Sequence, residues 1–400
     1  GDLVAQVRAV AARHAGQAGI VYVIRRRDTE SLAGALARHG LRCAAYHAGL
    51  DAETRRRVQD DFLSERLDVV VATIAFGMGI DRSDVRFVVH GALPKGVEQY
   101  SQETGRAGRD GLPAECALYY SGSDYHTSRQ LLERTATEAE ANGVEGARAE
   151  LAGNLERLDE MWRFAGSAAC RHRYLVEHFG GRYAPPAASA PGCGACDVCL
   201  GELNPIADAQ VYAQKVLSCV VHCRQSRGAA HVANVLRGSD VAKVREAGHD
   251  RASTFGLLKD RPLTEVRSVI DQLVSQGHLV VAPGEYPTLS LSRTGVAVMR
   301  GEQPVTLFEP PTPPKKAPRG RPAPILEAPD VDEALVEKLR ALRRNLARER
   351  GVPPYLLFND RTLVDLVRKR PTNASELLDV EGIGAKKAAD LGALLLAALA

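Results

Sequence analysis

Along residues 1–125 the apolar positions switch repeatedly between two periods. The opening GDLVAQVRAVAARHAG puts Leu3, Val7, Val10 and Ala11 on one side, the spacing of an amphipathic helix and not of a secretory leader. GIVYVI (19–24) is a short β-branched run that ends at RRRD. A helix over 29–39 follows, with Asp28 or Thr29 as its N-cap and Gly40 as its stop. RCAAYHAG gives a strand and turn, and Asp51 caps a helix running to about Glu65. DVVVAT (68–73), RFVVHG (86–91) and AECALYY (114–120) read as three further strands. Strands separated by helices of about ten or more residues imply a parallel sheet covered on both faces. In such sheets the working loops lie at the carboxyl ends of the strands.

The pattern changes after residue 125. Residues 126–168 read as charged helix, and 169–204 hold a cysteine cluster. Residues 205–300 give three helices and a hairpin. The first, 207–221, carries Val211, Val216, Leu217 and Val220, and the second, AAHVANVLRG, stops at Gly238. The third, LTEVRSVIDQLVSQG, sets Leu263, Val266, Val269, Ile270 and Leu273 on its apolar side and ends at Gly277. HLVVAPGEYPTLSLS then alternates around a proline-glycine turn. Helices followed by a hairpin describe a winged helix, a fold that serves duplex DNA or protein contacts. Residues 301–330 hold nine of the 21 prolines with Lys315, Lys316, Arg319 and Arg321, a stiff basic linker. Residues 331–400 are helical again, with Leu335, Leu339, Leu342 and Leu346 on one face and Arg340, Arg344 and Arg348 on another. The reading is therefore multidomain, with units at 1–125, 126–204, 205–300, 301–330 and 331–400.

Composition narrows the function little. The hydrophobic content of 45%, the charged content of 25% and the net charge of +3 are those of an ordinary globular chain, so any nucleic-acid footprint is local. The most apolar run, LGALLLAALA, is too short to span a bilayer, and the expectation is a cytoplasmic protein without membrane contact.

The cysteines say more. Cys170 is followed by CGACDVC, which supplies Cys193, Cys196 and Cys199. Two consecutive CxxC steps with a fourth thiol upstream fit a closed, structural tetrahedral Zn²⁺ site, against the plainer alternative of free or redox-active thiols. Cys219 and Cys223 lie one helical turn apart and read as two packed or half-exposed thiols, since a metal needs more ligands. Cys43 and Cys116 fall in strands and read as core.

QETGRAGRDG (102–111) sets Arg106 and Arg109 in a glycine-rich loop. Arginine forks onto phosphate oxygens and stabilises charge on a transferring phosphoryl group. A lone RxxR is more often a solvated surface turn. Here it follows YHAGL (46–50) and VVATIAFGMGI (70–80), and the order and spacing of the three stretches resemble the second motor lobe of superfamily 2 helicases. In detail they resemble the RecQ family of DNA helicases, as does the cysteine spacing. VLRG and AGHD match the RecQ C-terminal winged-helix (RQC) domain, and the last 66 residues resemble the HRDC bundle.

That resemblance implies an α/β RecA-like parallel-sheet lobe, a zinc-binding helical module, a winged helix and a small all-α HRDC bundle. It implies that Arg106 and Arg109 act as arginine fingers on ATP. Gly79, Asp81 and Gln102 would lie at the nucleotide, with Gln102 and Glu103 helping to join two lobes. Thr73, Arg26, Tyr286 at the wing tip, Arg340 and Arg344 would touch DNA, single-stranded or at duplex junctions. At the first strand the chain departs from the family pattern, because Arg25 replaces a small polar residue before Arg26. Whole relatives unwind DNA 3′-to-5′ with ATP in recombination, repair, replication and the SOS response. The resemblance also implies a monomer in the bacterial cytoplasm and nucleoid, in contact with single-strand-binding protein.

No GxxxxGK[ST] run occurs in the chain; GIGAKKA (382–388) has the wrong spacing, and DEAL (332–335) reads as a helix start. The expectation is that the ATP-loop lobe is absent, that ATP and Mg²⁺ bind only with that lobe, and that the chain alone turns over no ATP. A passive DNA-binding accessory protein is the alternative. A zinc-containing transcriptional regulator is a third reading, disfavoured because a regulator has no use for the arginine loop.

Overall fold

The structure is a computed structural model, and it describes residues 2–73, 76, 82–186, 192–282, 287–310 and 332–400. The chain forms two compact units. One holds the described residues up to Pro94, Glu98–Tyr120 and those from 332 onward; the other holds Lys95–Val97 and the described residues of 121–310.

The first unit opens with α1 (Leu3–Arg13), β1 (Ala18–Tyr22), α2 (Arg26–Arg38), β2 (Cys43–Tyr46), α3 (Ala52–Leu63), β3 (Val69–Ala72), β4 (Val85–His90), α4 (Val97–Thr104) and β5 (Glu115–Leu118). The five strands form one parallel sheet in the order β2-β3-β1-β4-β5. β1, β3 and β4 are buried along their whole length, which explains their unbroken apolar runs. Ile20, Phe62, Val70 and Val88 pack on one face, and Val7, Val21, Leu36, Val71 and Phe87 on the other. Gly19 is required in β1, since a Cβ there would sit 2.0 Å from the Phe87 ring.

Two sequence expectations fail in this lobe. The chain leaves β1 through only three residues, so α2 starts at Arg26, with Arg25 as an N-cap that makes no side-chain cap bond. Asp28 instead lies in the first turn, where its charge suits the helix dipole, and Thr29 is buried with its hydroxyl on the Arg26 carbonyl. Cys116 is exposed, because β5 is an edge strand and not core.

The second unit begins with α5 (Gly122–Ala141), packed on α6 (Ala147–Gly166), and α7 (Arg171–His178). Next come α8 (Ala209–His222), α9 (Ala229–Arg237), α10 (Ala242–Glu246), a 3₁₀ turn at His249–Arg251, α11 (Leu263–Ser275), the antiparallel pair β6 (Leu279–Ala282) and β7 (Thr288–Leu291), and α12 (Arg293–Arg300). Val216, Leu217, Val220, Val232, Leu236, Val269, Ile270 and Leu273 share one core, as three helices backed by a hairpin require. α10 and the 3₁₀ turn interrupt the expected three helices. Leu263 starts α11 on its exposed side, not its apolar one, and Cys219 and Cys223 are fully buried, not half-exposed.

The first unit ends in a bundle of α13 (Glu333–Arg350), α14 (Pro354–Leu357), α15 (Asp360–Lys369), α16 (Ala374–Leu377) and α17 (Ala385–Leu399), closed around Leu339, Leu346, Leu366, Leu377 and Leu395. Its Arg343 is 1% exposed and bonds the Phe358 carbonyl at 3.0 Å, Asp360 at 3.0 Å and Glu65 after α3 at 3.1 Å. That contact seats the bundle on the lobe.

At the other edge of the sheet, Glu115 accepts hydrogen bonds from Arg13 Nε at 3.0 Å and pairs with His14 Nε2 at 3.0 Å. Burial opposes ionisation, but the bonds from His14 and Arg13 outweigh it and hold the carboxyl at about 2. This folded value lies below the unfolded one of about 4.3, so the stabilisation is complete above about pH 5 and is lost as pH falls toward 2. Glu115→Gln should therefore flatten part of the acid limb of thermal melting between about pH 5 and pH 2. Parallel melting curves for variant and wild type over that range would refute the role.

Candidate functional site

Two sites stand out, the arginine loop and the cysteine cluster. The loop runs from the end of α4 to β5. Asp110 is buried and paired with Arg86, which is also buried at the start of β4. Arg86 Nη1 also points at the Leu112 and Pro113 carbonyls, each at 3.4 Å. The Gly108 amide donates to the Val85 carbonyl at 2.9 Å. Gly108 has φ +64°, and a Cβ there would lie 2.8 Å from the Leu112 carbonyl oxygen. A buried ion pair and one left-handed glycine thus fix the backbone on which both arginines ride.

The two arginines differ. Arg106 is half-buried beside the Tyr22 hydroxyl, and its Nε is buried with no hydrogen-bond partner among the described residues. Arg109 is exposed, its Nε directed to the Gly105 carbonyl at 3.3 Å. Gln102 is exposed on α4. Glu103 is buried and accepts from His90 Nε2 at 2.7 Å and Gln99 Nε2 at 3.0 Å, so it ties α4 to β4.

Two other expected residues sit around the carboxyl ends of adjacent strands. Thr73 follows β3, its amide on the Tyr46 carbonyl at 3.2 Å. Arg26 is exposed at the start of α2, with its side chain over Gly49 of the turn after β2. His47 holds that turn by accepting the Gly49 amide at 3.2 Å and meeting Glu30 at 3.1 Å. Gly79, Asp81 and Tyr286 lie outside the described residues. In the bundle, Arg340 is largely enclosed and faces Glu337 at 3.6 Å and Asp360 at 3.9 Å, while Arg344 bonds Glu337 at 2.5 Å. Both carry an acidic partner that a phosphate would have to displace.

The sequence reading missed Arg86, Asp110 and Arg171 as supports. A lone arginine inside the apolar run RFVVHG is a signal that a buried partner exists.

The cysteine cluster is built from local geometry. Cys170 is the N-cap of α7. Burial pushes its thiol up, but the backbone amides of Arg173 and Cys193 and the neighbouring thiols outweigh that and bring it down to about 6, as expected for sulfur at a helix start. The Ala195 amide donates to Cys193 Sγ at 3.4 Å. The ligand atoms of Cys170, Cys193, Cys196 and Cys199 lie within 4.8 Å of one another. Gly192 is obligatory, since a Cβ there would meet Cys199 Sγ at 2.3 Å. Arg171 clamps the module from outside, forking onto Asp197 at 2.9 and 3.0 Å and donating to the Phe164 and Ser167 carbonyls at 2.8 and 2.9 Å. The four thiols fit a structural Zn²⁺ that leaves no open position for catalysis.

Cys196→Ser should release the zinc of this cluster and lower the melting temperature, because a structural zinc contributes on the order of 10 kcal/mol. Gly192→Ala should weaken zinc retention against a chelator through the Cβ clash. A Cys196→Ser protein that keeps its full zinc by atomic absorption with unchanged melting would eliminate the site.

Four family models match along the chain: the helicase conserved C-terminal domain at 2–111, RecQ zinc-binding at 122–200, the RQC domain at 205–316 and the HRDC domain at 332–399. The ATP-dependent DNA helicase RecQ of Bacillus subtilis (strain 168) is 37% identical over 382 residues, covering 95% of this chain and 59% of the relative. That of Haemophilus influenzae is 38% identical over 374 residues, covering 93% and 57%. That of Pasteurella multocida is 36% identical over 379 residues, covering 93% and 56%. The chain thus spans less than two thirds of the length of these curated relatives. Among the described residues no helix is long and apolar enough to cross a membrane. With lobe, zinc module, winged helix and bundle each matched in turn, the chain belongs to the RecQ helicase family, of which it carries the C-terminal portion.

Proposed function

We infer that this chain is the C-terminal portion of an ATP-dependent 3′-to-5′ DNA helicase serving recombination and repair. One observation carries the reading. The arginine loop holds two guanidiniums on a turn fixed by the buried Arg86–Asp110 pair, a rigidity that a solvated surface turn has no use for. Arg109, exposed on that turn, would meet a triphosphate, and Arg106, half-buried beside the Tyr22 hydroxyl, would assist it. The 400 residues contain no phosphate-cradling GxxxxGK[ST] run, so ATP and Mg²⁺ would be held by a partner lobe. Gly79, Asp81 and Gln102 would complete the nucleotide side.

In this reading DNA follows the carboxyl ends of the lobe strands. Thr73 and Arg26 would contact the phosphate backbone of the tracking strand, and Tyr286 would stack at a duplex junction. Arg340 and Arg344 would give the bundle an auxiliary single-strand contact that displaces Glu337 and weakens as salt rises, because phosphate contacts release counterions. A monomer that meets single-strand-binding protein in the nucleoid completes the proposal.

The test is ATP turnover with and without single-stranded DNA, first by this chain and then by the chain joined to an ATP-loop lobe. The chain alone should show none, and the joined protein should show DNA-stimulated turnover. Arg109→Ala should lower that turnover by about 10³–10⁵ with zinc content unchanged. Near-normal turnover in Arg109→Ala would end the arginine-finger assignment, and ATP hydrolysis by the isolated chain would contradict the need for a second lobe.

A further inference from the structure

Sequence spacing leaves Cys223 short of metal ligands, and the fold supplies them. Cys223 is the C-cap of α8, His231 stands in the first turn of α9, and His249 opens the 3₁₀ turn after α10. Three elements that are distant in sequence bring one sulfur and two imidazoles together, with ligand atoms within 4.8 Å of one another. Cys223 Sγ lies 3.8 Å from His249 Nδ1, and His231 Nε2 lies 2.7 Å from the same nitrogen. Cys223 is buried while both histidines are half-buried, so the group has a dry wall and an open side. Cys219, one turn back on α8, is fully buried, with its Sγ directed to the Val232 carbonyl at 3.9 Å.

We propose that Cys223, His231 and His249 form a second metal site, which takes Zn²⁺ through one thiolate and two imidazoles, separate from the four-cysteine cluster. One thiolate with two imidazoles is a donor set suited to that ion. Zinc bonds of about 2.0–2.1 Å to nitrogen and 2.3 Å to sulfur at tetrahedral angles need roughly 3.3 Å between nitrogens and roughly 3.6 Å between nitrogen and sulfur. The sulfur distance is already close to this, and the imidazoles need to part by roughly 0.6 Å to exchange their shared hydrogen bond for the ion. On binding, the proton between the rings moves to the outer nitrogen of its own ring, and the Cys223 thiol releases one proton to solvent. Arg227 and Arg224 are the cations that act on the pair; they oppose a dication, and the thiolate offsets part of that charge.

The position gives the ion a purpose. The loop between Cys223 and His231 passes through Arg224 and Gln225, both at positive φ, and holds the wing hairpin: the Leu291 amide donates to Gln225 Oε1 at 2.8 Å and the Leu289 amide to the Arg227 carbonyl at 3.0 Å. A cation tied to both ends of that loop would brace β7.

The experiment is zinc stoichiometry on the full 400-residue chain, stripped, reloaded with excess Zn²⁺, freed of unbound metal and counted by mass spectrometry. Two zinc ions per chain are expected, falling to one in His249→Gln and to one in His231→Gln. Cobalt(II) loaded into Cys196→Ser should still give a thiolate charge-transfer band, and this band should vanish in the Cys196→Ser, His249→Gln double variant. Wild-type chain that saturates at one zinc, or His249→Gln that still holds two, overturns the proposal. The wild-type count stands even where a variant fails to fold.

Discussion

The arginine loop hangs on a charge inside an apolar strand. Arg86 enters β4 where its neighbours are Val85, Phe87 and Val88, and a guanidinium there is tolerable only if it is matched. Asp110 matches it, and in reaching inward it draws the arginine loop down onto the start of β4. The loop therefore cannot drift without leaving a buried charge bare, a penalty of roughly 3–5 kcal/mol for such pairs. A specificity device of this kind costs stability relative to an apolar pair, and what it secures is one position for the turn.

The second unit solves a different problem. Residues 170–200 have few apolar side chains and cannot build a core of their own, so thiols and the Arg171–Asp197 fork take its place. The winged helix beyond them builds its core from a continuous set of valines and leucines.

What was legible in the sequence divides along the same line. The sheet could be read because strands buried on both faces must be apolar throughout, as β1, β3 and β4 are. The zinc cluster could be read because three of its ligands lie within seven residues, Cys193 to Cys199, so spacing alone encodes the geometry. The start of α2 could not, because a three-residue exit from β1 overrode the capping preference of Asp28 and Thr29. The long-range partner of Arg343 left no local trace: it meets Glu65 across 278 positions, and nothing in the run ALRRN sets it apart from half-buried Arg344 beside it. Of the expected nucleotide and DNA residues, the structure describes Arg26, Thr73, Gln102, Arg106, Arg109, Arg340 and Arg344, and it adds the acidic partners of the last two.

The near-contact of Gly192 with Cys199 has a consequence for the life of the molecule in a cell. A module whose sulfurs close this tightly around an ion has little to hold it together when the ion is scarce, so its folded population obeys mass action. While free zinc stays well above its dissociation constant, each tenfold fall withdraws about 1.4 kcal/mol from the folded form. The abundance of intact protein then tracks metal supply as well as expression, and a shortage would be felt first as proteolytic turnover of the zinc module.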